Sequence, residues 1–300
     1  MSKSKNDMPG TPIAEVQIDE LLAYNLLQKQ HPDLAHLPIE PVDSGWDNVI
    51  FRLGDRWCLR LPRRQVAATL IENEQTWLPQ LARRLPIPIP TPDRIGKPGS
   101  GYPWQWSVLP WLSGVSADRL EPQPTQVECF VSFLRSLHVP APENAPPNPV
   151  RGVPLHQRAV LVEERMQRLK QKTDAIVPKI EQIWNRALNT PIDIPATWLH
   201  GDLHPRNILV ENGKISGVID WGDITSGDPA TDLASIWMLW GDRTHRQQAI
   251  TRYGASPATV QRARGWAILF GVVLLETGLV DNPQHALIGQ RTLHRLAEDG

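Results

Sequence analysis

The chain has 300 residues, a formal charge of −1, 29 Pro, 12 Trp and two Cys. That length supports a substantial core in about two lobes. The near-neutral charge argues against nucleic acid as a partner, because phosphate backbones are bound by clustered Lys and Arg.

Residues 1–12 are polar, lack the apolar stretch of a signal peptide, and are expected to form a disordered tail. Apolar residues at Val16, Ile18, Leu21, Leu22, Leu26 and Leu27 fit an amphipathic helix over residues 13–30. Strands are expected at 48–53 and 56–61, turned by Gly54-Asp55, and Cys58 in the second reads as a core thiol. Ahead of them, Ser44, Gly45 and Asn48 lie in a short polar loop that could approach phosphates or be an ordinary turn. A helix over 65–85 carries Glu72 and Glu74, and the alternating prolines of 85–92 require extended chain. Residues 104–109, including Trp106 and Val108, form a plausible strand, with a connector at 110–114. The lobe boundary is set there, giving an N-terminal lobe at 13–109 and a C-terminal lobe at 110–300.

Helical patterns follow at 127–138, 155–172 and 176–188, with a Pro-rich surface loop at 139–149. Cys129, far from Cys58, reads as a second core thiol, so a reducing compartment is expected rather than a disulfide or metal site. Asp228 and Pro229 have the chemistry of a helix start, and Leu233, Ile236, Trp237 and Trp240 would line the core face of that helix. A further helix is expected over 257–276, and its uncharged run, 265–275, is too short to cross a bilayer. No membrane partner and a cytoplasmic location are therefore expected.

One stretch carries the chemistry: His200-Gly201-Asp202-Leu203-His204-Pro205-Arg206-Asn207, followed by Ile219-Asp220-Trp221. Asp202, Asn207 and Asp220 have the spacing of a phosphoryl-transfer site. Apolar runs at 208–210 and 215–219 flank Glu211-Asn212-Gly213-Lys214, and Asn-Gly is a strong hairpin signal. Antiparallel pairing would then bring Asn207 and Asp220 to the same end of the hairpin, as two oxygen donors suited to Mg2+. His200 and His204 do not make a zinc pair, since Gly201 and Pro205 disfavour a helix and no third ligand is evident. Asp223 reads as a turn residue or a carboxylate of the site, and Asp232 as a buried brace for the loop.

These residues, with Gly227-Asp228-Pro229-Ala230, Leu59-Arg60-Leu61-Pro62, Glu74 and Leu137-His138, closely resemble the aminoglycoside phosphotransferase family over about residues 40–280. The resemblance implies an α+β, protein-kinase-like, two-lobed fold with a strand-rich N-lobe and a mainly helical C-lobe. It implies Asp202 as the catalytic carboxylate, Asn207 and Asp220 as Mg2+ ligands, and His200 as a buttress. Trp106 to Leu109 would receive the adenine, and Arg60 with Glu74 would stand where many kinases of this fold have a Lys–Glu pair. The implied activity is transfer of the γ-phosphate of ATP, or GTP, to a hydroxyl of a small molecule, an aminoglycoside or macrolide antibiotic first. A metabolic kinase for an amino alcohol or sugar derivative, or a non-catalytic kinase-like binding protein, are the alternatives.

Overall fold

The computed structural model describes residues 13–45 and 47–299, and for Asp43 and Ser44 the backbone only. The expected tail at 1–12 lies outside the described residues. The chain divides into two compact units, one running to Arg84 and resuming at Pro88–Leu112, the other comprising Leu85–Ile87 and Ser113 onward.

The first unit holds helix α1 (Glu20–Gln30), strands β1 (Ile39–Ser44), β2 (Asn48–Leu53) and β3 (Trp57–Pro62), helix α2 (Gln65–Leu81), and strands β4 (Arg94–Gly96) and β5 (Trp106–Pro110). The strands form one antiparallel sheet in the order β1-β2-β3-β5-β4. Helix α1 starts later than apolar periodicity suggests, because the Asp19 carboxylate accepts the Leu22 N–H at 2.8 Å and caps it there. Strand β1 carries Pro41 and was not anticipated; it lies at the sheet edge, where a missing N–H disturbs no second ladder. Leu26, Leu27, Leu53, Leu61, Trp106 and Val108 form a core between sheet and α1, and each is fully buried.

The second unit contains strand β6 (Val115–Ser116), helices α3 (Val127–Leu137), α4 (Ala159–Lys170) and α5 (Pro178–Leu188), then strands β7 (Thr197–Leu199), β8 (Ile208–Glu211), β9 (Lys214–Val218) and β10 (Thr225–Gly227). Helices α6 (Ala230–Leu233), α7 (Ser235–Leu239), α8 (Arg243–Tyr253), α9 (Pro257–Asp281) and α10 (Pro283–Asp299) complete it. The expected helix after Asp228 is thus broken into two short pieces. Its stripe is nonetheless interior: Trp237 and Trp240 are fully buried, as are Trp221 and Trp266. Cys58 is buried, but Cys129 is only partly so, and neither is in a disulfide.

Helix α9 begins where the Ser256 hydroxyl accepts the Thr259 N–H at 3.0 Å, with Pro257 in its first turn. At 25 residues it is longer than the apolar run inside it, and by length and composition it could cross a membrane. Yet 72% of its most apolar window is buried inside the protein, packed on α10, α5, α6 and α4. A helix apolar on every side is what a central core position requires.

Candidate active site

The motif occupies the turn between β7 and β8 and the far end of the β8–β9 hairpin. Glu211 pairs with Lys214, and the two turn residues, Asn212 and Gly213, have φ of +52° and +76°. Positive φ at both positions matches a turn whose twist suits a tight hairpin. At the open end Ile208 faces Val218, and the Ile219 N–H donates to the Asn207 carbonyl at 2.9 Å. Asp220 is the next residue, with φ of +60°, a left-handed value that Asp tolerates better than branched residues do. The hairpin register therefore places Asn207 and Asp220 at one end.

Behind the loop lies a closed network. The Asp232 carboxylate, 1% exposed, accepts the His200 N–H at 2.7 Å and the Gly201 N–H at 2.9 Å, and lies 3.3 Å from His138 Nε2. His200 is fully buried and stands 3.0 Å from the Ile219 carbonyl through Nε2, while its Nδ1 accepts the Asp202 N–H at 3.2 Å. A carbonyl can only accept, so Nε2 carries the proton and His200 is a neutral strut. Gly201 has φ of +84°, and a Cβ there would meet the Asp223 carbonyl oxygen at 2.4 Å. Only glycine fits that close approach. Farther back, the Asp228 carboxylate accepts the Ala230 N–H at 3.1 Å, just ahead of α6, and accepts from the Arg262 guanidinium at 2.7 Å.

In front lies a more open set of charges. Asp202 Oδ1 accepts from Arg151 Nη2 at 2.9 Å, and its Oδ2 lies 3.4 Å from His204 Nε2. His204 Nδ1 accepts the Arg206 N–H at 3.2 Å, so its Nε2–H faces the carboxylate. Asn207 Nδ2 donates to the Asp202 carbonyl at 2.9 Å, which turns its amide oxygen away from that bond. Burial raises the Asp202 carboxyl, but the Arg151 guanidinium, helped by the hydrogen bond from His204, outweighs it and holds it well below the usual carboxylate range. Asp223, with its Oδ2 3.5 Å from Arg151 Nε and its Oδ1 accepting from Asn148 at 2.7 Å, is pushed up by burial and by Asp202 and Asp220. Asp223 is thus a member of this charged set and more than a turn residue.

Arg151 was not singled out by sequence reasoning. It follows the Pro-rich stretch expected at the surface, yet this stretch is pinned inward. The Thr225 hydroxyl donates to the Pro146 carbonyl at 2.8 Å, and the Asp228 N–H donates to the Gly152 carbonyl at 2.9 Å. Asn148 Oδ1 accepts the Val150 and Arg151 N–H groups at 3.0 and 3.1 Å. The available signal was Asn148 with Gly152: a self-bonding Asn and a glycine four residues on mark a shaped turn.

In the first unit, Arg60 on β3 and Glu74 on α2 meet at 3.2 Å, both buried. With its amide oxygen toward the guanidinium, Asn48 accepts from Arg60 Nε at 3.1 Å and Nη2 at 3.0 Å. Those three expected residues are brought together. Gly45 closes the β1–β2 hairpin, its N–H donating to the Asn48 carbonyl at 3.0 Å and its carbonyl accepting from Arg63 at 2.7 Å. Ser44 ends β1 opposite Val49. Trp106 and Val108 lie inside the sheet. They are fully buried within β5, which pairs with β3 on one side and β4 on the other. The Val108 carbonyl accepts the Asp93 N–H at 2.9 Å, and that of Trp106 accepts from Gln75 at 3.1 Å. Both carbonyls are therefore already hydrogen-bonded within the first unit.

Asn207 and Asp220 offer an amide and a carboxylate oxygen, the donor chemistry of Mg2+. Among the described residues no group of three or more His, Cys, Asp or Glu is arranged to hold a metal.

The sequence profile of the phosphotransferase enzyme family, APH, matches residues 38–266. An uncharacterized protein of Bacillus subtilis (strain 168), YcbJ, is 25% identical over 219 residues, covering 67% of this chain and 70% of that protein. Viomycin phosphotransferase of Streptomyces vinaceus is 38% identical over 60 residues, 19% of this chain and 21% of that one. Among solved structures, the GDP complex of aminoglycoside 2'-phosphotransferase-IIIa superposes with a TM-score of 0.68 at 18% identity, covering 94% of this chain and 99% of the other. The macrolide 2'-phosphotransferase MphH from Brachybacterium faecium gives 0.58 at 21% identity, covering 90% and 96%. The fold is therefore that of the α+β, kinase-like phosphotransferases. The chain belongs to the phosphotransferase enzyme family, whose members transfer a phosphoryl group to an alcohol.

Proposed function

We propose that this protein moves the γ-phosphoryl group of ATP or GTP to a hydroxyl of a small molecule, with an antibiotic of the macrolide or aminoglycoside type as acceptor. The observation that carries the reading is Asp202 on a loop locked from behind by Asp232, with Asn207 fixed beside it. In that role Asp202 orients the acceptor hydroxyl and takes its proton as the oxygen attacks phosphorus. The bond from the γ-phosphorus to the bridging oxygen breaks, and the nucleoside diphosphate leaves. Asn207 and Asp220 would hold Mg2+, which when bound neutralises charge on the phosphates. In the first unit, Ser44, Gly45, Asn48, Arg60 and Glu74 are the proposed nucleotide contacts, Arg60 serving where many kinases use Lys. Titration calorimetry with MgATP and MgGTP on Arg60→Met checks that assignment through a weakened nucleotide affinity.

A specific observation favours a neutral or weakly cationic acceptor over a polycation. Of four carboxylates that could face an aminoglycoside, Asp281 is exposed, while Asp223 is tied to Arg151 and Asn148, and Glu276 to Arg165 and Arg168. Asp242 caps α8 through the Thr244 N–H at 2.6 Å. A polycation binds best where carboxylates are unpaired. Release of ADP or GDP should be measured across kanamycin, viomycin, a macrolide, choline and homoserine. Turnover confined to kanamycin and viomycin would overturn the charge argument, and nucleotide binding without turnover on any acceptor would favour a binding protein.

A further inference from the structure

We infer that Arg151 is a positioning residue for phosphoryl transfer, holding the Asp202 carboxylate in its working orientation while Asp223 and Asn148 hold Arg151. This rests on the reading of Asp202 as the group that meets the acceptor hydroxyl.

Five contacts define the arrangement. Arg151 Nη2 donates to Asp202 Oδ1 at 2.9 Å, and its Nε lies 3.5 Å from Asp223 Oδ2. Its guanidinium carbon sits 4.9 Å from the centre of the Phe270 ring, a cation–π distance. Its own backbone N–H is held by Asn148 Oδ1 at 3.1 Å, and the other end of the Asn148 amide donates to Asp223 at 2.7 Å. Two carboxylates and the ring thus hold the guanidinium, while the Asn148 amide holds the backbone of the same residue and one of those carboxylates. Its side chain is only 20% exposed, and that of Asp202 is 24%.

The chemical need is plain. Asp202 must point at a hydroxyl, and a carboxylate on a single rotatable stem does not stay aimed by itself. His204 Nε2–H approaches one oxygen and Arg151 takes the other, so rotation about the stem breaks one contact or both. A planar guanidinium with several fixed donors can bridge two carboxylates in a way that an ammonium cannot reproduce in shape. Without it, Asp202 and Asp223 would face each other with no shared counter-charge, and repulsion would turn Asp202 out of line. Asn148 and Arg151 lie outside the His200–Trp221 stretch, so this aiming device is supplied by a different segment of the chain.

The test uses the full chain and water as the acceptor, so that no acceptor need be identified. Hydrolysis of MgATP and MgGTP is followed for wild type, Arg151→Gln, Arg151→Lys, Asp202→Asn and the double variant Arg151→Gln/Asp223→Asn, with thermal unfolding of each. Arg151→Gln should lower kcat about 10²-fold, the scale of a misplacement near 1 Å, with nucleotide KM moving less than about threefold. Arg151→Lys should recover part of the loss by restoring charge without shape. Asp223→Asn should recover part of it in the Gln background by removing the repelling carboxylate. If Arg151→Gln keeps kcat within about twofold while Asp202→Asn abolishes it, the role of Arg151 is overturned and that of Asp202 stands. If both variants turn over normally, the reading of Asp202 fails and this inference fails with it. Should Arg151→Gln not fold, the Lys variant and Asn148→Ala carry the test; kcat and KM unchanged in both would equally overturn the proposal.

Discussion

The two sides of the His200–Asn207 loop are built from the same residue types and do opposite things. Behind it, Asp232, His200, His138, Asp228 and Arg262 form a network in which carboxylates meet backbone N–H groups and a buried guanidinium. In front, Asp202, Arg151, His204, Arg206 and His285 keep part of their surface in solvent. A buried carboxylate that accepts backbone N–H groups is spent on fixing the chain, because leaving such groups unpaired costs more than pairing them returns. A carboxylate held only by side chains, with solvent on one side, keeps lone pairs for a substrate. Rear residues should therefore report in stability and front residues in turnover.

The sharpest break between the two sides is Asp202→Asn. It should lower phosphoryl transfer about 10²–10⁴-fold, the usual worth of a positioned base, while thermal unfolding changes little. A large loss of stability would place Asp202 with the rear set. Next comes Arg262→Met. It leaves the Asp228 carboxylate buried without its guanidinium, so unfolding in urea should show about 3–5 kcal/mol of destabilisation. A smaller effect is expected for Asp232→Asn, about 1–3 kcal/mol, because an amide oxygen can still accept one of the two N–H groups. It should also reduce turnover, since the loop loses its brace.

The front side carries a pH signature. His285 is pushed down to about 4, first by burial and then by Arg206 and His204, against weaker opposing effects of Asp202 and Asp281. An unfolded His titrates near 6.5, so between pH 6.5 and 4 the unfolded chain binds the extra proton. Stability is then complete above that window and falls as pH drops through it. Unfolding curves at several pH values should show this slope for wild type and a flatter one for His285→Gln. The smallest expected effect is a control in the other unit. Asp19→Ala removes a helix cap and should cost about 1 kcal/mol with no change in turnover.

Legibility in the sequence followed the range of each interaction. The hairpin was readable because Asn212-Gly213 and its apolar flanks are local, and its register then brought Asn207 beside Ile219. The pairing of Arg60 with Glu74 was also anticipated, although Asn48 as the third member of that contact was not. Strand β1 was missed because Pro41 argues against a strand in general, and its edge position excuses it. The surroundings of Trp106 and Val108 were not legible for a related reason: a short apolar strand looks the same whether interior or at a rim.

By itself, the sequence determined the reaction class and the placement of Asp202, Asn207 and Asp220, because they sit on one loop and one hairpin whose geometry is set by near neighbours. Only the tertiary structure decided what surrounds Asp202. Arg151 lies 51 residues upstream and Asp232 lies 30 downstream (232 − 202), and no periodicity or spacing links them. They meet because β10 pairs with β7 and draws the Asn148–Gly152 turn against Gly227 and Asp228. Such long-range packing fixes the charge and the aim of a site whose chemistry is already written locally.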